Sequence, residues 1–397
     1  MTQLRLWYLA QSSIGIVGWI GVAILLNPII IERTASGTLL GQVMALIGGA
    51  GILAPVIGAV ADKYACHRLL QRGALLINLA ALVVLYFAQS SAMTYWLVGA
   101  LMGIAIVTLL VLNPTFVIAH SENQQEEGRS LAKLFQFQFL GVVVSGVLIA
   151  LAGHYQLTTE VKLQLLMALL VMIIIAVFIA PPAPINAKPV EVTESEQTPG
   201  HLQRAFLPWA LFLLSAFCSM FLSANLMELG PLLIKEVYNV EIGNSALGMA
   251  TSAAICIFLL EPAGRWMQKS GPFKVWLTAQ GIFLVLGLVF WSTVGMTVPD
   301  VLPVALLVIL IQAMSWNDLA VPAIAVRLSP TSPALTQGML MFAMAGGFGG
   351  GTLLAGLCID AFGYASVFTL ALVGIILSLV FIALIVVTGH RRQLQSD

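Results

Sequence analysis

The sequence predicts an all-α integral membrane protein, with twelve transmembrane helices in two pseudo-symmetric six-helix bundles. Three observations carry this. Of 397 residues, 60% are hydrophobic and only 9% charged, whereas a soluble domain carries about 25% charge, so these charges cannot coat a water-soluble particle. Apolar runs near the ~20 residues that cross a bilayer recur twelve times, continuous rather than alternating, which excludes a β-barrel. The series is interrupted once, half-way, by a polar stretch. A formal net charge of zero argues against nucleic acid as a partner and leaves the lipid bilayer.

The first bundle is read over 1–181. Its spans fall at 6–31, 38–61, 70–89, 93–118, 134–153 and 161–181. Span 1 follows a single basic residue and has no small-residue cleavage site, so it reads as a retained helix rather than a signal peptide. It carries Gln11, Trp19 and Asn27-Pro28 at a spacing near eight, hence on one face. Span 2 holds Gly48-Gly49-Ala50-Gly51. Span 4 holds Asn113-Pro114, and span 5 brings Gln136 and Gln138 behind Lys133. Residues 182–206 contain four prolines and several charges, and read as a cytoplasmic linker. The second bundle and a short tail fill 207–397, with spans at 207–230, 244–263, 273–295, 301–326, 334–360 and 364–388. Gly230-Pro231 should break span 7, and Gly346-Gly347-Phe348-Gly349-Gly350-Gly351 lies in span 11.

Twelve spans with cytoplasmic termini put only Arg33, Lys162 and Lys235 outside, leaving 14 of the 17 basic residues inside, as the positive-inside rule demands. The four cysteines share no metal-ligand or disulfide spacing and read as packing residues. Neither a nucleotide loop nor a catalytic elbow occurs in a supporting context, so neither a cofactor nor a metal is expected, and the chain does not read as an enzyme. A lipid-modifying enzyme would need clustered histidines or acids at one interface, whereas the five histidines are scattered.

The halves repeat each other. The loop after span 2, Gly58-Ala-Val-Ala-Asp62-Lys63, finds Gly264 and Lys269 after span 8 at an offset of 206. Gly128, Gly141, Gly146 and Gly153 find Gly338, Gly351, Gly356 and Gly363 at 210. The Gly58–Arg68 loop resembles the signature loop of the major facilitator superfamily, and the chain is similar to that family over its whole length. Ala65 replaces the second glycine of the loop, Cys66 replaces a basic residue, and span 5 lacks the Gly-Pro pair of the antiporters. Span 2 resembles that of the macrolide and siderophore exporter branch. The resemblance implies a central cavity opened alternately to either side, a secondary transporter and a small-molecule substrate. A monomer in a bacterial inner membrane is expected.

Asp318, in Ser315-Trp316-Asn317-Asp318, is costly at mid-span and functional by default. It is open to proton carriage, to binding a cationic substrate group, or to a structural bond with Asn317. Glu228, with Asn225 a turn before it, could look into the cavity or sit at the interface. Gln11, Trp19, Asn27, Asn113, Gln136, Gln138 and Gln312 are candidates to line the cavity or to hydrogen-bond between helices. Asp62 is expected to latch the inner gate, pairing with Lys63 or Arg68. Glu261, Arg265 and Lys269 are its counterparts, although Glu261 and Arg265, four apart, also suit a plain intrahelical pair. The glycine patches of spans 2 and 11 are expected to touch, so that bulk at Gly48 or Gly349 locks the carrier inward-open. Together these point to proton-coupled export of a drug-like compound or siderophore, the alternative being an importer or uniporter of a small nutrient.

Overall fold

The computed structural model describes residues 6–120, 124–180, 199–330 and 333–393, and within these the side chains of 118–120, 124–129, 199–205, 333–335, 337 and 388–393 are left aside. The linker at 182–206 lies outside the described residues except for its end, which is helical from Pro199. The basic side chains of Arg5, Arg129, Lys188, Arg204, Arg391 and Arg392 lie outside them too.

Among the described residues, twelve helices are long and apolar enough to cross a membrane: Leu6–Thr34, Gly37–Tyr64, His67–Phe87, Ala92–Val117, Ser130–His154, Thr159–Ile179, Phe206–Glu228, Ile242–Ser270, Pro272–Thr293, Val301–Leu328, Gly338–Phe362 and Ser366–Val387. Each contains or closely overlaps a run expected from sequence. Local chemistry sets several ends. Ser36 caps span 2 by accepting from the Leu39 amide at 3.1 Å, satisfying a donor the helix leaves free. Span 2 ends at Ala65 with φ +48°. This is the left-handed position where the family loop favours glycine, and alanine holds it at a cost of about 1–2 kcal/mol.

Spans 1 and 7 are the least regular. Ile14–Leu26 and Ala224–Glu228 are wound as π-helix, and span 7 is followed by a separate helix, Gly230–Tyr238, with Pro231 in its first turn. The expected break is therefore present. Both irregular stretches are buried on nearly every residue, where looser backbone is tolerated because protein surrounds it.

Spans 1–6 pack mainly among themselves, as do spans 7–12, and the halves meet along spans 2 and 11 and along spans 5 and 8. The glycine register explains the close approach. A Cβ on Gly141 would lie 3.0 Å from the Ser12 Cα of span 1, and one on Gly351 would lie 3.0 Å from the Phe221 Cα of span 7. One on Gly146 would strike Ala246 and Ala250 of span 8 at 2.9 Å, and one on Gly356 would strike the Gly41 backbone of span 2 at 2.8 Å. Each repeated pair thus does the same job in its own half: first against the central helix, then against the other bundle.

Among the described residues, every hydrogen bond between the halves lies at one end. Asn27 donates to the Glu228 carbonyl at 2.6 Å. The Asp360 carboxylate accepts from the Gly37 and Thr38 amides at 2.6 and 2.7 Å. Lys235 donates to Glu32 at 3.0 Å. The opposite end, which carries Lys63, Arg68, Arg265 and Lys269, is the basic end. There spans 2, 7 and 11 part around an apolar cavity of about 450 Å³ bordered by Ile52, Pro55, Phe217, Met339 and Phe342. Among the described residues, the halves are joined at the far end and parted at the basic one.

Candidate functional site

Span 10 shows where the open space lies. Ile309 and Asp318 are nine residues apart, about two and a half turns, and so occupy opposite faces. Ile309 is exposed on the outward face. Leu307 and Ile311, a few turns farther from the basic end on Asp318's face, are buried. Asp318 itself is exposed. That face therefore runs from sealed packing into open space at Asp318, which must be the interior cavity rather than the surroundings. Among the described residues no basic group pairs with Asp318. Its one hydrogen-bond contact among them is a long 3.5 Å approach from Asn317 Nδ2.

Its neighbours turn elsewhere. Asn317 is buried and accepts from Gln280 of span 9 at 3.0 Å, so its role is to hold span 9 to span 10. Trp316 meets Trp266 of span 8 edge-on, with ring centroids 5.7 Å apart. Gln312 donates to the Ser252 carbonyl and hydroxyl of span 8, both at 2.9 Å. Of the polar cluster expected on span 10, one side chain reaches the cavity, because consecutive residues on a helix point about 100° apart.

A second group sits behind the closed end. Asn225 and Glu228 lie in the irregular part of span 7 and Asn27 directly follows that of span 1, and the two parts touch. Asn27 and Asn225 are fully buried. Asn27 Oδ1, both polar side-chain atoms of Asn225 and Glu228 Oε2 are sealed from solvent without a partner among the described residues. Buried polar groups without partners cost about 1–3 kcal/mol each, and such a group calls for a reason.

The amides of the first half form a chain. Gln71 donates to Asn113 at 2.6 Å, Asn113 to Gln11 at 2.8 Å, and Gln11 to Gln138 at 2.8 Å. Gln11 and Asn113 are thus interior links rather than cavity lining. Gln136 is partly buried, and Trp19 stands edge-on to Phe139. Gln71 in span 3 and Gln280 in span 9 were not anticipated. Each donates to the asparagine of the next span, Asn113 or Asn317. Offsets of 209 and 204 between the paired residues were the signal available in the sequence.

The gating assignments change in detail. Asp62 pairs with neither Lys63 nor Arg68. His67 Nε2 lies 2.9 Å from its carboxylate. Arg68 instead turns inward, bonding Gln71 and the carbonyls of Val177 and Ala180, because its long guanidinium reaches helix-end acceptors that the loop does not offer. Glu261 and Arg265 form the intrahelical pair at 3.2 Å, both exposed, and Lys63 and Lys269 are exposed. Among the described residues, none of these four side chains bridges the halves, as fits an open basic end. The expectation for Gly48 reverses in sign. A Cβ there would strike the Phe348 ring, so bulk would oppose this basic-end-open state rather than lock it. Asp360, the main link at the closed end, had not been singled out.

Two bundles joined at one end around an internal carboxylate define an alternating-access secondary transporter. Residues 6–333 match the model of the Major Facilitator Superfamily, and the chain belongs to that family. It is not an enzyme. Among solved structures it is similar to the nucleoside transporter NupG, with TM-score 0.76 and 15% identity over 95% of this chain and 98% of that one. A second NupG structure gives TM-score 0.70 and 16% identity over 95% and 96%. The D-xylose-proton symporter gives TM-score 0.68 and 11% identity over 94% and 96%. No curated protein sequence matches the chain.

Proposed function

We propose that this carrier takes up a small, polar, uncharged nutrient of the nucleoside or sugar type, driven by protons, as a monomer in the cytoplasmic membrane with both termini inside. The observation that carries it is Asp318, an unpaired carboxylate facing open space half-way through the bundle. An amphipathic drug would be met by an apolar wall, whereas this level of the molecule carries a carboxylate and amides. The structural neighbours, a nucleoside transporter and a xylose-proton symporter, support uptake over the export of drugs or siderophores. Glu228 is the second ionisable group, sealed behind the Asn27 bond when the outer end closes. Export retains one supporting feature, the apolar cavity between spans 2, 7 and 11.

The test is uptake of labelled uridine and D-xylose by proteoliposomes under an inward proton gradient. Wild type should accumulate at least one of them, and a protonophore should abolish accumulation. Asp318→Asn and Glu228→Gln should each lose gradient-driven accumulation. If neither substitution alters it, the coupling assignment is wrong. Net movement of a lipophilic dye, with neither solute transported, would restore export.

A further inference from the structure

The buried amides of the first half are polarised, and the direction is fixed at one end. Arg68 is donor-only. Its Nη1 donates to Gln71 Oε1, while Nη2 is held by the Val177 and Ala180 carbonyls at 2.5 and 3.3 Å. With Gln71 Oε1 committed as acceptor, its Nε2 must donate, and it does, to Asn113 Oδ1. The same rule passes through Asn113 to Gln11 and through Gln11 to Gln138 Oε1. Flipping any one amide would set donor against donor, so the links orient as a unit. Gln71, Asn113 and Gln11 are fully buried, and both side-chain polar atoms of each are used.

Gln138 ends the chain differently. Its side chain is 8% exposed. Its Oε1 is taken, while its Nε2 has no partner among the described residues and is not among the sealed unpartnered atoms. A positioned donor therefore remains open. It stands sixteen residues from His154 at the far end of span 5, about 24 Å at 1.5 Å per residue. Asp318 stands seventeen residues from Val301 at the far end of span 10, about 26 Å. The second half runs its shorter chain, Gln280 to Asn317 to Asp318, to an acceptor. At one level, then, the first half offers N–H and the second a carboxylate.

We propose that Gln138 selects the substrate by donating to one of its oxygen or ring-nitrogen acceptors. Arg68 is the positioning residue that fixes this polarity through Gln71, Asn113 and Gln11, and Asp318 receives a hydroxyl or N–H from the same solute. This rests on the uptake function proposed above and narrows its substrate to an uncharged molecule with an acceptor at one end and a donor at the other.

Two measurements test it. In protein with ¹⁵N-labelled glutamine side chains, the amide protons of Gln11 and Gln71 should exchange slowly with deuterium oxide and those of Gln138 quickly. Arg68→Gln, which can donate or accept, should speed exchange at Gln71 and Gln11, and Arg68→Lys, donor-only again, should restore protection. In proteoliposomes, Gln138→Glu keeps the acceptor for Gln11 but replaces the free donor with an oxygen. It should raise KM for uridine or D-xylose about tenfold with maximal rate little changed, as should Arg68→Gln but not Arg68→Lys. Protection of Gln138 equal to that of Gln11, or an unchanged KM in Gln138→Glu, overturns the proposal. If wild type moves neither solute, the uptake function fails, while the exchange pattern still decides whether the chain is polarised and open at Gln138.

Discussion

Asp360 shows how much a single side chain can contribute between two bundles. Its two oxygens take the first amides of span 2, where the helix has unsatisfied donors and a positive dipole end. Charge-assisted bonds of this kind are stronger than neutral ones. Asp360→Asn should weaken the closed end by about 1–2 kcal/mol, a roughly tenfold shift toward outward opening. Spin labels at Ser90 and Met296, on closed-end loops of the two halves, should report a longer mean distance in the variant. An unchanged distance distribution would mean that the glycine packing alone holds this end. Within the bundles, Gln280→Ala would leave Asn317 Oδ1 and the Ser219 hydroxyl without a shared partner. It should cost about 1–3 kcal/mol, read as a lower midpoint in thermal unfolding in detergent. Some of this scale was legible beforehand. Asp318 stood out because a mid-span carboxylate is expensive. Asp360 did not, since an acid near a span end looks like an interfacial charge until its partner helix is in place.

At the scale of elements, the glycines of spans 2 and 11 set how close the halves approach. Gly41 and Gly356 meet backbone to backbone, and overpacking such a contact costs about 1–3 kcal/mol or more. Gly356→Leu should therefore abolish closure at the far end and trap an outward-open carrier, seen as lost uptake with normal expression and greater reactivity of a cysteine placed at Leu40. Gly48→Ala meets Phe348, whereas Gly49→Ala meets nothing within 4 Å. Uptake should fall in the first and persist in the second, and equal behaviour of the pair would contradict the packing described. Spans 5 and 8 mirror this, so Gly146→Leu should behave like Gly356→Leu. The repeat at offset 210 announced these contacts as a register. It could not say which partner each glycine faced, because that depends on the rotation of a neighbouring helix.

For the whole molecule, the four hydrogen bonds between halves at one end and the parted spans at the other describe one stage of an alternating cycle, with binding groups between them. If the basic end is cytoplasmic, reporters fused at either terminus should sit inside. A cysteine at Met296 should react with an impermeant maleimide from outside, and one at Tyr64 should not. Reversed labelling would invert the membrane orientation and the proposed direction of transport. The sequence by itself determined twelve helices, their halves, the family resemblance and the inside bias of basic residues. These follow from hydropathy, charge and spacing, which are properties of short windows of chain. Only the tertiary structure decided that Asn317 is a strut while Asp318 is a surface, that Arg68 anchors an amide chain rather than a gate, and that bulk at Gly48 opposes this state. Those outcomes depend on which side chains from distant spans share a line or a face, and packing alone sets that.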